Sequence, residues 1–333
     1  MHSQIDGAIE AFTKKSKIPQ LNVGVWHNNV LYEASFGSDQ QPGVDVFEIG
    51  SVGKTFTATL LAVLVENSVV NLADRVDKFR PDLLFAKDIT LLQLATHTSG
   101  LPNDPFKGII LDAEKALRNF SHTDYNRFLE GISKPLKSGK IRYSNLGMAL
   151  LGNLLADHLG MSYEKAVKKY ILTPLGMTDT HVFPNAYDAK RVATGHNGRG
   201  KAVAHFLWNC MEPAGVWRST TKDMMVFLKA HLGHSGELWE SLLDKMILPA
   251  FNDRKREHQG LAWQLSCNKK FGDFAWHNGQ TLGQKSVAVC AKASGSAIII
   301  LSNKAPKLWQ HFFTSYSIEQ LSFGILESLS KNT

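Results

Sequence analysis

The chain has 333 residues, 44% hydrophobic and 20% charged, with a formal net charge of +7 and a pI of about 9.2. That length is enough for one large domain or two interleaved ones around a well-buried core. A basic balance fits nucleic acid, an anionic substrate or an envelope surface, but no dense Lys/Arg run or aromatic-interleaved basic patch is present, so nucleic acid is set aside. The cluster Lys165 to Lys169 reads as the solvated face of a helix. Cys210, Cys267 and Cys290 match no zinc pattern and read as small apolar residues, with one disulfide left open. No run of 18 apolar residues exists, and MHSQIDGAIEAFTKKSKIPQ lacks an apolar h-region. The sequence as it stands is therefore read as cytoplasmic, or as periplasmic or extracellular if an export signal has been removed.

In chain order, residues 4–15 predict an amphipathic helix that Pro19 ends. Residues 21–37 predict two strands around His-Asn-Asn, a hairpin signal. The short run FEIG (47–50) leads into a long apolar helix over about 52–66. Loop and a short helix follow over 74–84. From about 88 to 180 the apolar spacing is helical, in segments such as ITLLQLATH and LGMALLGNLLADHLG, divided by turn signals. Strand patterning returns at GLAWQLSC, DFAWHNG, SVAVCAK and SAIIILSN, and a helix over about 306–329 closes the chain. The expected fold class is α/β (α+β). An antiparallel sheet flanked by helices is formed from both termini (1–75 and 205–333), with a helical domain (76–204) inserted and the active site between them.

A serine hydroxyl is a poor nucleophile until its proton is removed. Serine and lysine at i and i+3 face the same way on a helix, and burial lowers the lysine pKa enough to make a neutral amine accessible. Ser-x-x-Lys begins at Ser51, Ser162, Ser219, Ser266 and Ser328. Ser162 and Ser219 precede helices and read as caps. Ser266 lies at a strand end and Ser328 in the C-terminal tail. Only Ser51 joins a strand-like run to an apolar helix, where its backbone N–H gains the helix dipole and can hold an oxyanion. Tyr143-Ser144-Asn145 sits where a loop meets a helix. A nearby lysine cation would lower the Tyr143 pKa and make it a general base, while Asn145 offers a donor and an acceptor. Taken singly, the bland reading is a packing tyrosine and an N-cap asparagine. His277-Asn278-Gly279 is one of six His-x-Gly triples, but it alone ends a strand-like run. Gly279 would admit a substrate backbone, and the Gln280 N–H would be a second oxyanion donor.

This ordered triple resembles the serine β-lactamase and penicillin-binding protein superfamily. The closer likeness is to class C β-lactamases and their DD-peptidase and esterase relatives. FEIGSVGKTFTATLLAVLVE, ITLLQLATHTSGLP, ILTPLGMTDT and PAGVWRSTTKDMMVFLKAHL carry the resemblance, which runs from about residue 20 to 300. It implies Ser51 as nucleophile, Lys54 as its base partner, and Tyr143 as base or proton shuttle. Asn145 would hold the substrate amide, the N–H groups of Ser51 and Gln280 would form the oxyanion hole, and His277 with Asn278 and Gly279 would line the substrate's carboxylate side. The implied activity is two-step acyl transfer on a small-molecule or peptide amide or ester, with no metal or cofactor. Alternatives are an acyltransferase at the same site, a penicillin-binding sensor that never turns over, or an inactive member. Three departures stand out. His277 replaces a Lys-Thr-Gly lysine, Gly53 replaces the second serine of Ser-x-Ser-Lys, and Val216-Trp217 puts bulk where a glycine turn is usual. His97 and His122 read as structural.

Overall fold

The computed structural model describes residues 2–37, 45–106, 113–136, 139–183, 190–236, 239, 242–247, 251–252, 258–306 and 317–330. The hairpin forms from β1 (Leu21–His27) and β2 (Val30–Phe36). Asn28 and Asn29 between them take φ of 50° and 61°, the left-handed pair that a two-residue hairpin turn demands and asparagine tolerates. A two-stranded ladder joins β3 (Phe47–Glu48) to β4 (Arg218–Ser219). The late strands are β5 (Phe251–Asn252), β6 (His258–Gln259), β7 (Gln264–Asn268), β8 (Gly272–Gln280), β9 (Lys285–Ala291) and β10 (Ser296–Ser302). Among the described residues they make one eight-stranded sheet in the order β2-β1-β10-β9-β8-β7-β6-β5. Every neighbouring pair in it is antiparallel. β1 pairs with β10, so strands from the two ends of the chain meet within one sheet, as expected.

Both faces of the sheet are covered. On β10, Ile298 and Ile300 face one apolar cluster, while Ala297, Ile299 and Leu301 face the other, the period of two that a pleated strand imposes. The first cluster packs beneath α1 (His2–Ser16) and α11 (Ile318–Ser330) through Ile5, Ile9, Phe12, Ile325 and Leu326. The last helix therefore starts later than expected, and residues 307–316 lie outside the described ones. The second cluster runs without a break from the sheet through α2 (Lys54–Glu66) and α9 (Thr221–His231) into the middle of the chain. There α3 (Leu91–Ala95), α4 (Ala113–Asn119), α5 (His122–Glu130), α6 (Asn145–His158), α7 (Tyr163–Val167) and α8 (Thr173–Leu175) replace strands entirely, and α10 (Leu242–Ile247) follows α9. α2 is buried from Lys54 to Leu64, and α6 from Leu146 to Ala156 except Asn153. Apolar residues predominate on every side of both over these spans, because neither has a solvent face there.

Two local expectations shift. Ser51 lies in a 3-10 turn, Gly50–Gly53, and the α-helix proper begins at Lys54, a tightening common at helix starts. The cap of α9 is Thr220, whose side chain accepts the Asp223 N–H, while the Ser219 hydroxyl bonds to Thr180 at 2.8 Å. Ser162 does cap α7. The three cysteines are free; Cys210 and Cys290 are buried and Cys267 is exposed.

The β3–β4 ladder is closed by a buried ion pair. Glu48 and Arg218 are 4% and 2% exposed and stand 3.6 Å apart. Burial pushes the Glu48 pKa up. Hydrogen bonding from His205, the Arg218 charge, the Thr281 hydroxyl at 2.6 Å and the Phe206 N–H at 2.7 Å outweigh it and hold the carboxyl below its ordinary range. Arg218 also donates to the Val182 and Phe206 carbonyls. Removing one partner leaves a buried uncompensated charge. Arg218→Met is therefore expected to destabilise by about 3–5 kcal/mol, read as a lower urea midpoint, and adding Glu48→Gln should restore part of the loss.

Candidate active site

Ser51 sits three residues beyond Glu48, and its turn is tied on every side. The Glu48 N–H donates to Gln284 Oε1 at 2.9 Å, and the Ile49 carbonyl accepts the Ser286 hydroxyl at 2.7 Å. The Ile49 N–H donates to the Trp217 carbonyl at 2.9 Å. Gly279 is the point of closest approach: a Cβ built there would lie 1.9 Å from the Ile49 oxygen and 2.9 Å from the Ser51 nitrogen. The space that glycine opens is thus taken by the turn carrying Ser51, not by a substrate backbone. A Cβ on Gly50 would likewise lie 2.6 Å from the Gln280 nitrogen. The main-chain nitrogens of Ser51 and Gln280 are brought to one place, where β8 crosses the start of the helix.

Lys54 has no exposed surface. Its Nζ donates to Ser51 Oγ at 2.8 Å and to the Ala214 carbonyl. Burial pushes its pKa down to about 7, against the opposing charge of Asp104. The Ala214 carbonyl is delivered by Gly215, whose φ is 134° and whose Cβ, if present, would strike the Gly50 oxygen at 2.5 Å. Trp217 does not fill the pocket. It is wholly buried, edge-on to Phe56 and Tyr163, and it packs where a side chain at residue 53 would go; a Cβ on Gly53 would lie 2.7 Å from Trp217 Cδ1. Gly53 and Trp217, far apart in the sequence, thus pack directly against one another.

Tyr143 faces Ser51 closely enough for the serine side chain to act on its pKa, and the Lys54 Nζ lies 4.9 Å from its ring centroid. The residue keeps 41% of its surface open, while its phenol group is desolvated by the surrounding chain. Burial raises the phenol pKa above its usual value; the Ser51 side chain opposes this and the Asp104 charge adds to it. The direction is the reverse of the lowering expected from a lysine neighbour. Ser144, not Asn145, caps α6, accepting the Gly147 N–H at 2.8 Å. The Asn145 amide donates to Asp104 Oδ1 at 2.7 Å, a partner the sequence did not announce.

β8 divides the remaining candidates between its faces. His277 is 1% exposed, and its Nδ1 donates to the Asn278 carbonyl at 2.6 Å. Burial and the Lys54 charge, partly offset by that bond, push its pKa down to about 3. Its ring centroid is 6.4 Å from that of Tyr143. Asn278 points the other way, donating to Glu319 Oε1 on α11 at 2.7 Å. Its side chain is therefore parted from Ser51 by the sheet, as the alternation of a strand requires. A cavity of about 390 Å³ opens beside the site, lined by His97, Tyr143, Gln259, Gln264, Ser266 and His277 among others. Among the described residues no cluster of His, Cys, Asp and Glu is arranged to hold a metal. No described helix is long and apolar enough to cross a membrane.

The fold is that of class C β-lactamases. The chain superposes on a crystal structure of a class C β-lactamase with a TM-score of 0.83, at 22% identity over 100% of this chain and 98% of the other. A β-lactamase/D-alanine carboxypeptidase from Pseudomonas syringae superposes with a TM-score of 0.84, at 18% identity over 98% of each chain. The family model described as Beta-lactamase matches residues 5–321, and the chain belongs to that family. Among curated relatives, a β-lactamase of Lysobacter lactamgenus is 27% identical over 69% of this chain and 60% of its own length. Penicillin-binding protein 4* of Bacillus subtilis is 26% identical over 83% of this chain and 66% of its own length. The match thus spans about 60% of the first β-lactamase relatives, 60% and 59%.

The buried lysine has a consequence for stability. Below about pH 7 the amine is charged in both folded and unfolded chains, and the folded state bears the desolvation in full. Between about 7 and ~10.4 only the unfolded chain binds the proton, so stability rises with pH, by about 1.4 kcal/mol per unit. Lys54→Met lacks this dependence. Its melting temperature relative to the parent should be higher at pH 6 than at pH 9, as read by calorimetry.

Proposed function

We propose that the protein is a serine hydrolase that forms an acyl-enzyme on Ser51, cleaving the amide or ester bond of a small molecule or peptide. The candidate donors are a β-lactam, a D-alanyl peptide or a short ester. The observation that carries this reading is the 2.8 Å contact between Ser51 Oγ and a lysine with no solvent exposure. With its pKa near 7, Lys54 is largely neutral just above neutrality and takes the Ser51 proton as the oxygen attacks the carbonyl carbon. Tyr143, its pKa raised, stays protonated and is the group that hands a proton to the leaving nitrogen or oxygen. The Ser51 and Gln280 N–H groups receive the oxyanion. Water then releases the acyl group. His277 and Asn145 flank the substrate, and the site lies between the sheet-bearing part (1–75 and 205–333) and the helical part (76–204).

Fluorescent penicillin labelling, nitrocefin turnover and p-nitrophenyl butyrate turnover test the reading. Intact-mass spectrometry should find the adduct on the parent and not on Ser51→Ala. Labelling without turnover would make the protein a sensor. Neither labelling nor turnover by the folded protein with any of the three would overturn the reading.

The pH profile identifies the base. With Lys54 in that role, kcat/KM rises about tenfold per unit below about pH 7 and then levels. A limb above about pH 10 would assign the role to a Tyr143 phenolate instead.

A further inference from the structure

Three consecutive residues, Arg142, Tyr143 and Ser144, all rest on His97. The Arg142 N–H donates to the His97 carbonyl at 2.7 Å, and the Ser144 N–H donates to His97 Nδ1 at 3.2 Å. Between them, the imidazole lies against the Tyr143 ring, with centroids 4.6 Å apart and planes inclined by 35°. His97 is 2% exposed and has a φ of 57°. A side chain other than glycine in that region is uncommon and costs about 1 kcal/mol or more, strain that persists where the surroundings demand it. The neighbouring bonds repeat the pattern. Leu136 N–H donates to the Gly100 carbonyl, Gly139 N–H to Thr98, and Leu146 N–H to Asn103. The Ser144 hydroxyl donates to the Pro102 carbonyl at 2.6 Å, and the Asn145 amide to Asp104. Residues 97–104 are thus a template on which the loop bearing Tyr143 is laid.

The imidazole has only one compatible tautomer. A main-chain N–H can only donate, so Nδ1 carries a lone pair and the proton sits on Nε2. A charged ring would present N–H at both nitrogens and break the bond. Burial, then the charges of Lys54 and His277, hold its pKa well below the ordinary value. The ionisable groups facing it from neighbouring elements are Lys54, Tyr143 and His277.

We propose that His97 is the positioning residue of the site: by clamping the peptides on both sides of Tyr143 and covering its ring, it sets the phenol against Ser51 Oγ. The kinetic consequence rests on the acylation of Ser51 proposed above; the placement of the phenol does not. His97→Phe keeps a ring against Tyr143 but leaves the Ser144 N–H unpaired. His97→Asn keeps an acceptor and tolerates the positive φ, and it serves as the check should His97→Phe fail to fold.

The first measurement is a double-mutant cycle on the acylation rate constant. His97→Phe should lose roughly tenfold to a hundredfold, His97→Asn should recover part of it, and His97→Phe/Tyr143→Phe should be no slower than Tyr143→Phe alone. Losses that multiply would show His97 acting independently of Tyr143 and overturn the proposal. The second measurement needs no activity. Phenol titration by ultraviolet difference against Tyr143→Phe isolates Tyr143 among the seven tyrosines. In His97→Phe its midpoint should fall toward the ordinary value of about 10. An unchanged midpoint would overturn the proposal. If the parent is never acylated at Ser51, the function falls, and this titration still decides the role of His97.

Discussion

An ammonium group with no access to water organises the centre of this molecule. Lys54 has two oxygen partners, Ser51 Oγ and the Ala214 carbonyl. An amine held this way is tolerable because burial has moved its pKa to about 7, so the neutral form shares the burden. Both oxygens must be held close. That requirement explains why the 49–54 turn, the 214–217 turn and the end of β8 press together more tightly than side chains permit, with Gly279 and Gly215 at the crossings. A Cβ at either would force the turn carrying Ser51 away from the 214–217 turn or from β8.

The same crowding explains two departures that look unrelated in the sequence. Where Ser-x-Ser-Lys is usual, this chain has Gly53, and where a glycine turn is usual it has Val216-Trp217. The indole occupies the volume above Gly53 and ties into Phe56 and Tyr163. Its Nε1 donates to the Tyr163 hydroxyl at 3.3 Å.

Much of this was legible in the residues, for identifiable reasons. Asn28-Asn29 announces its turn because few residues accept two left-handed conformations in a row. The β10 strand and the α2 helix announce themselves as a short β-rich run and a long apolar run, the patterns of elements buried on both sides. Ser51 could be picked from five Ser-x-x-Lys pairs because only it joins a strand to an apolar helix. What failed to show were properties that depend on three dimensions. Asn278 looked like part of a triple, yet a strand sends adjacent side chains to opposite faces, and its amide serves Glu319. Tyr143 was expected to acidify beside a lysine cation, but burial that neutralises the lysine also disfavours the phenolate. His97 carried no motif that ties it to Tyr143, because its three contacts lie 45 to 47 residues away along the chain.

Proton inventory follows from these placements. Three basic groups lie around Ser51, and the backbone sets the tautomer of two of them and the charge of one, His97. His97 must accept at Nδ1 from Ser144, and His277 must donate from Nδ1 to Asn278, so each ring in its neutral form has one settled tautomer. Each is further held neutral by burial and by the charge of Lys54. A second cation beside the lysine would also drive its pKa lower. Keeping both imidazoles uncharged therefore leaves one group that gains and loses a proton near neutral pH, and it is the group already bonded to the serine.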